Sequence, residues 1–239
     1  MQNIKLILPA YNEEKSLARL LSKVEKIKEL FGFPLKVIVV NDGSTDDTLS
    51  VAKSFNVEVV DLQPNRGLAG ALRAGLASGL KDMHPDDVIV TMDADNSHNP
   101  ALIYRMLIQI QEGSDIVIAS RFRSGARIEG VSGLRRALSV GARLIFKLFM
   151  PIKGVRDYTC GYRAYRVGLL SKMSEFYGGS LIEQEGFGCM AELLLKSRKF
   201  SPIIHELPFI LRYDHREGES KMNVLRTIKQ SIRLAVTKR

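Results

Sequence analysis

The residues with the clearest chemical potential are Asp93 and Asp95, which emerge directly from the apolar run Val88-Ile-Val-Thr-Met92. If strand geometry continues through them, side chains two positions apart point to one side. Two carboxylates so placed suit one hard divalent cation and the phosphate oxygens it carries. An isolated Asp-x-Asp is equally at home in a turn or at a helix N-terminus, so the metal reading gains weight only where other segments agree. Pro9-Ala-Tyr-Asn-Glu13 closes an earlier apolar run, and Asn41-Asp-Gly-Ser-Thr-Asp46 closes another, with acceptor side chains around a glycine turn. Asp42 fits the base or ribose of a nucleotide through a charge-assisted hydrogen bond. The alternative is a turn, with Asp46 capping the next helix. Arg66-Gly-Leu-Ala-Gly70 opens a helical stretch whose first amides could meet a ligand, although glycines there also permit close helix packing. His84, His98, His205 and His215 show no HxxxH or HExxH spacing, so no zinc site is expected. His98, beside the acidic pair, can line a pocket there without a catalytic role. Cys160 and Cys189 form neither a disulfide framework nor a CxxC pair and read as small hydrophobes in a reducing compartment.

Such residues meet only if the ends of the apolar runs share one edge. Strands are expected at Ile4 to Leu8, Lys36 to Val40, Val57 to Asp61, Val88 to Met92 and Ile116 to Ala119. Helical periods cover Glu13 to Leu30, Asp46 to Phe55, Gly67 to Leu80 and Pro100 to Glu112. Short, nearly continuous apolar strands joined by helices predict a parallel sheet covered on both faces. Ligands of such sheets bind at the carboxyl ends of the strands, where all the segments above lie. No GxGxxG follows the first strand, so a dinucleotide-dependent oxidoreductase lacks its main support. After residue 120 the alternation gives way to a Gly/Arg-rich stretch to Gly133 and a helix to about Met150. A loop with Asp157 to Arg163, a helix from Gly188 to Lys199, a strand from Ile203 to Leu211 and a terminal helix from about Met222 follow. No repeat or linker is apparent, and residues 1–239 are expected to form one domain.

The 239 residues are 45% hydrophobic and 26% charged, which excludes disordered and fibrous classes. The formal charge of +9 is unevenly distributed. Residues 1–119 carry 12 Lys/Arg against 16 Asp/Glu, a balance of −4, and residues 120–239 carry 23 against 10, a balance of +13. An anionic partner addressed by the second half is implied, with nucleic acid, a membrane surface or a phosphorylated substrate as candidates. The N-terminus lacks a secretory pattern, which predicts a chain that stays inside the cell. No window approaches the roughly 20 apolar residues of a spanning helix. In the helix from Leu134, one face collects Leu134, Leu138, Ile145, Leu148 and Phe149, with Arg136, Arg143 and Lys147 opposite. This suits either an anionic bilayer surface or a helix packed on the core with a solvated basic face. Leu225, Ile228 and Ile232, among Arg226, Lys229 and Arg233, form a second, less regular case.

The ordered set Leu8-Pro-Ala-Tyr-Asn-Glu13, Asn41-Asp-Gly-Ser-Thr-Asp46, Asp93-Ala-Asp95 and Ser120-Arg-Phe122 resembles family 2 glycosyltransferases of the GT-A fold. Asp157-Tyr-Thr-Cys-Gly-Tyr-Arg163 and Gly218-Glu-Ser-Lys221 are similar to the dolichyl-phosphate mannose synthase branch, and the resemblance spans nearly the whole chain. It implies an α/β, Rossmann-like, mostly parallel sheet flanked by helices, with C-terminal amphipathic interface helices and no transmembrane segment. It also implies a nucleotide-sugar donor, a divalent metal, an inverting transfer and a polyprenyl-phosphate acceptor. By motif, Pro9, Tyr11, Glu13 and Asp42 would form the nucleotide pocket. Asp93 and Asp95 would hold Mg²⁺ or Mn²⁺, Asp95 more directly. Ser97 stands where some relatives have a metal-binding Gln, which implies a weaker or water-mediated contact. Arg121, Arg135 and Ser139 match acceptor-phosphate positions and join Asp95 as the catalytic set. Lys221, and by position Arg216, would neutralise the donor diphosphate. Asn41 replaces the commoner first Asp of its motif and leaves base selectivity open.

An acceptor phosphate is largely ionised near neutral pH and needs no protein base to attack. It needs cations that bring two anionic substrates together. Mannose from GDP-mannose is the favoured donor, because Leu68 stands where glucosyl relatives often carry Lys; glucose from UDP-glucose is the close alternative. From another class, the alternative is a non-catalytic basic module that binds nucleic acid, which the acidic strand-end cluster disfavours. Residues 1–119 become the donor half and residues 120–239 the acceptor and membrane-facing half. The enzyme is expected in the cytoplasm, peripheral on a membrane, through its own surface or a membrane-anchoring partner subunit.

Overall fold

The computed structural model describes residues 2–130, 133–149, 151–186 and 188–215, with the side chains of 133–138, 142, 149 and 215 left aside. Strands β1 (Ile4–Ala10), β2 (Leu35–Asp42), β3 (Glu58–Leu62), β4 (Val88–Thr91) and β5 (Ile116–Ser120) alternate with helices α1 (Glu14–Phe31), α2 (Thr48–Lys53), α3 (Gly67–Gly79) and α4 (Leu102–Gln111). Every residue of β4 and β5 is buried, as the nearly unbroken apolar runs require of strands covered on both faces. Helix α1 buries Leu17, Leu20, Leu21, Val24 and Ile27, a stripe at the three- and four-residue spacing of one helix face. It stops where Gly32 turns left-handed at φ 63° and donates its amide to the Lys28 carbonyl.

The second half supplies β6 (Arg127–Glu129), α5 (Gly133–Phe149), β7 (Arg163–Arg166), α6 (Val167–Phe176), α7 (Gly188–Ser197), β8 (Ile204–Pro208) and β9 (Ile210–Arg212). The main sheet has the order β3-β2-β1-β4-β7-β5-β8, and β6 pairs with β9 separately. All pairs are parallel except those of β7, which runs antiparallel between β4 and β5. An antiparallel strand starts at the edge where its parallel neighbours end. The segment before β7 therefore joins the carboxyl ends of β1, β2, β4 and β5.

Several expectations change. The expected loop Asp157 to Arg163 runs into β7, whose four residues are too few to show a period. Ile203 to Leu211 is two strands: Pro208 has no amide with which to extend the ladder, and the chain leaves the main sheet to pair Ile210–Arg212 with β6. Helix α6 is unforeseen, and α2 begins at Thr48 rather than Asp46. In α5, Phe146 is buried and stacked on Tyr158 at 5.2 Å, and Arg143 lies over the Phe122 ring at 4.9 Å. Arg143 thus leaves the solvated basic face expected of it, because an aromatic ring within the fold offers its cation a partner. Val140, Leu144 and Leu148, one turn apart, are 39%, 60% and 73% exposed. The expected helix from Met222 lies outside the described residues. Among the described residues no helix is long and apolar enough to cross a membrane.

Candidate active site

The loops after β1 and β2 are joined by their own polar groups. The Asn12 amide donates to Ser44 Oγ at 3.0 Å, the Thr45 amide to Asn12 Oδ1 at 2.8 Å, and the Glu13 amide to Thr48 Oγ1 at 2.7 Å. Asp46 accepts the Glu14 and Thr48 amides, so it does serve the start of α2. Much of what the sequence offers as ligand acceptors therefore holds one loop to the other. Pro9 and Glu13 are half-buried beside this seam, and Tyr11 is exposed. Asn41 lies opposite Asp61 in the β2–β3 register and donates from Nδ2 to Asp61 Oδ1 at 2.7 Å. A second carboxylate there would face Asp61, which explains the amide at this position.

Asp42 ends β2 and is buried. Its Oδ1 accepts the Arg66 amide at 2.7 Å, and its carbonyl accepts Asn65 Nδ2. Burial pushes the Asp42 carboxyl up from its ordinary value, opposed by the Arg66 and Gly67 amides and the Arg66 charge. The turn between them demands glycine at 43: φ is 67°, and a Cβ would stand 2.6 Å from the Asn65 nitrogen. Both readings of the Arg66–Gly70 segment hold in part. Gly67 makes the turn at φ 69°, and further along α3 a Cβ on Gly75 would meet Ile7 Cγ2 at 2.5 Å.

Asp93 and Asp95 follow β4, whose register with β1 and β7 places them between the two. Thr91 Oγ1 donates to the Gly161 carbonyl at 2.7 Å, and a Cβ at Gly161 would come within 3.0 Å of Asp93 Oδ1. Gly161 thus leaves room for the Asp93 carboxylate. Asp95 is buried, and its Oδ1 accepts both the Ser97 amide at 3.0 Å and Ser97 Oγ at 2.5 Å. The Ser97 hydroxyl donates to Asp95 Oδ1 and so orients that carboxylate. Among the described residues no group of three or more His, Cys, Asp or Glu side chains converges on a metal position. The oxygens gathered at this turn, the Asp93 and Asp95 carboxylates with Ser97 Oγ bonded to Asp95, form a hard set. It fits Mg²⁺ or Mn²⁺ whose remaining ligands come from substrate phosphate and water. His98 is buried against Tyr162 and Phe209, and its Nδ1 has no hydrogen-bond partner among the described residues.

Arg121, the first residue after β5, is bound to a carboxylate that sequence reading left without a role. Asp157 accepts Arg121 Nε at 2.8 Å, Nη2 at 2.7 Å and the backbone amide at 3.0 Å, while Nη2 also donates to Thr159 Oγ1 at 2.6 Å. Asp157 is fully buried; the Arg121 guanidinium outweighs that burial and holds its carboxyl below the usual range, and the pairing raises the arginine. Behind it, Glu206 Oε1 accepts the Arg156 and Asp157 amides at 2.6 and 2.8 Å. Buried Arg163 ties the loop to α7, donating to the carbonyls of Tyr158 and Met190. Cys160 and Cys189 are buried thiols pushed up to about 12 by desolvation, which matches their reading as small hydrophobes.

The strand ends thus bring Pro9, Tyr11, Glu13, Asp42, Asp93, Asp95, Ser97 and Arg121 to one edge of the sheet. Ser139 is half-buried on α5, on the face that carries Arg143 one turn later. Arg135 lies one turn before Ser139, with its side chain outside the described residues, and Arg216 and Lys221 lie outside them altogether. Glu206, and Lys23, whose Nζ donates to Asn96 Oδ1, carry no local sequence signal. Asp157 does, since it heads the Asp157–Arg163 motif.

Comparison with known proteins bears on this arrangement. Residues 5–173 match the model of Glycosyl transferase family 2. The chain is 32% identical to a dolichol-phosphate mannosyltransferase of Pyrococcus furiosus over 92% of its own length and 59% of that protein's. It is 30% identical to a polyprenol monophosphomannose synthase of Mycolicibacterium smegmatis, covering 93% of this chain and 82% of the relative. An undecaprenyl-phosphate mannosyltransferase of Micrococcus luteus is 32% identical, with 91% and 86% covered. Among solved structures, glucosyl-3-phosphoglycerate synthase from Mycobacterium tuberculosis with Mn²⁺, UDP and phosphoglyceric acid superposes with a TM-score of 0.71. It covers 99% of this chain and 78% of that one at 22% identity, a likeness of fold alone.

Proposed function

The chain belongs to glycosyl transferase family 2 and is a glycosyltransferase of GT-A fold, and from that premise we propose that it moves mannose from GDP-mannose to a polyprenyl (dolichyl) phosphate. The observation that carries the proposal is the shared edge on which the paired carboxylates after β4 and the buried Arg121–Asp157 pair after β5 flank the start of β7. Similarity to three polyprenyl-phosphate mannosyltransferases favours this acceptor and sugar.

In this reading Pro9, Tyr11, Glu13 and Asp42 hold the nucleoside, and Asp93 and Asp95, oriented by Ser97, hold Mg²⁺ or Mn²⁺. When bound, the ion offsets negative charge on the leaving diphosphate. By motif, Arg216 and Lys221 would neutralise the same diphosphate, and Arg121, Arg135 and Ser139 would receive the acceptor phosphate. Two nitrogens of Arg121 are engaged by Asp157 and Thr159, while Nη1 makes no hydrogen bond among the described residues. The guanidinium therefore acts as a fixed donor edge, already oriented before the acceptor arrives. A phosphate oxygen forms the new bond to the anomeric carbon as the bond to the diphosphate breaks on the opposite face. No proton must be removed. Residues 1–119 serve the donor and residues 120–239 the acceptor, apart from Arg216 and Lys221, which are assigned to the donor diphosphate.

Incubation with labelled GDP-mannose, polyprenyl phosphate and Mg²⁺ is expected to move label into the lipid fraction, with UDP-glucose giving little. The reverse preference would make it a glucosyltransferase, and no transfer from either donor would refute the acceptor reading. The +13 balance of the second half then answers to lipid phosphate and an anionic surface rather than to nucleic acid.

The exposed Val140, Leu144 and Leu148 row supports peripheral binding to the cytoplasmic face of a membrane, alone or beside an anchoring partner subunit. Wild-type protein is expected to float with phosphatidylglycerol vesicles, and the Leu144→Glu, Leu148→Glu variant to stay in the soluble fraction. Equal flotation of the two would refute this surface.

A further inference from the structure

The turn that follows the acidic pair is held from outside by a residue on a distant helix. Asn96, the residue after Asp95, is buried and left-handed at φ 60°, a conformation that asparagine tolerates better than most side chains. Its Oδ1 accepts a hydrogen bond from Lys23 Nζ of α1 at 2.7 Å. One residue on, the Ser97 carbonyl accepts the Arg212 amide of β9 at 3.0 Å. Within the turn, Ser97 fixes Asp95 through the two bonds described above. Lys23 is therefore the side chain that anchors this turn to the first helix, across 73 residues of sequence.

The surroundings of Lys23 make the contact costly. The ammonium is partly buried, and burial together with the Arg19 and Arg212 charges pushes it below its ordinary value. A lysine on the rim of a helix has the freedom to swing into water. This one points instead at a neutral amide oxygen beside a metal-type carboxylate.

We propose that Lys23 is a positioning residue for the cation site at Asp93 and Asp95, acting through Asn96 to hold the turn that aims Asp95. The inference rests on the reading of those two aspartates as metal ligands. Groups that orient ligands in this way typically change metal affinity by about ten- to a hundredfold when removed.

Electrostatics and positioning predict opposite signs, which makes the test decisive. An ammonium near two carboxylates repels an incoming dication. If charge were its only influence, removing it would tighten binding. If it positions the turn, removing it weakens binding. Mn²⁺ affinity is measured on the donor-free protein by electron paramagnetic resonance of the free ion, with thermal melting to verify folding. Lys23→Met is expected to bind Mn²⁺ about tenfold more weakly, whereas Lys23→Arg, which keeps a donor, stays close to wild type. Asn96→Gly keeps the left-handed backbone but loses the acceptor and is expected to match Lys23→Met. The double variant should be no weaker than either single one, because residues acting through one contact are non-additive. Wild-type or tighter binding by folded Lys23→Met would overturn the inference, as would additive losses in the double variant. Absence of Mn²⁺ binding by the wild type, or unchanged binding in Asp95→Ala, would overturn the metal reading itself and the inference with it.

Discussion

Replacing Asp95 by alanine is expected to lower sugar transfer by about a thousandfold at saturating donor and acceptor. An ion held against a leaving diphosphate supplies several kcal/mol of charge stabilisation in the transition state, and about 4 kcal/mol corresponds to three powers of ten in rate. Asp95→Asn separates charge from shape. The amide oxygen can still accept the Ser97 amide and hydroxyl that Asp95 Oδ1 accepts now, so the turn persists while the negative charge is lost. Initial rates with labelled donor should fall almost as far in Asp95→Asn as in Asp95→Ala, with little change in melting temperature for the asparagine variant. A folded Asp95→Asn enzyme with wild-type rate would remove Asp95 from the metal site.

The second large effect concerns Arg121, where stability and function can be pulled apart. Arg121→Ala would strand the Asp157 carboxylate, fully buried and now paired, without its cation. Breaking one side of a buried pair costs about 3–5 kcal/mol. Because the folded carboxyl of Asp157 is held low, its contribution to wild-type stability is complete above the ordinary carboxylate value of about 3.9 and is lost as pH falls from there toward the folded value. In Arg121→Ala the unpaired acid is relieved by protonation, so the stability gap to wild type should narrow on acidification. Chemical denaturation at pH 7 and pH 4 tests this, and a gap that widens at pH 4 would contradict it.

The double variant Arg121→Met, Asp157→Asn removes both charges and keeps most of the volume and an acceptor for the loop amides. It should recover much of the stability lost in Arg121→Ala. Acceptor use should not recover: hydrogen bonds to a charged phosphate are worth about 1.5–3 kcal/mol, or roughly ten- to a hundredfold in kcat/KM for the acceptor, with donor KM little changed. Restored acceptor kcat/KM in the double variant would show that Arg121 serves only the fold.

The ends of β1, β2 and β4 were legible because a strand's apolar run places whatever follows it. Val88–Met92 puts Asp93 and Asp95 at the sheet edge whichever helix comes next, and the same holds for Pro9–Glu13 and Asn41–Asp46. Roles among these residues were less legible. Asn12, Ser44, Thr45 and Asp46 all look like ligand acceptors in one dimension, yet each bonds across the seam between two loops, and Asp46 also holds Thr48 of its own loop. Helix α5 shows a similar limit. Its amphipathic character was evident, but whether Arg143 met water or an aromatic ring depended on Phe122, which lies on a different segment.

By itself, then, the amino-acid order determined the alternating architecture, the edge where chemistry is placed, the family resemblance and the basic second half. Each follows from local period, from short motifs or from composition, which survive without knowledge of distant contacts. Only the tertiary structure decided that β7 runs antiparallel between β4 and β5, that Asn41 answers Asp61, that Arg121 is locked to Asp157 with Glu206 behind it, and that Lys23 reaches Asn96. These pairings join residues 20 to 78 positions apart. Their energies depend on burial and on hydrogen-bond geometry, which arise when the chain closes on itself and leave no periodic trace along it.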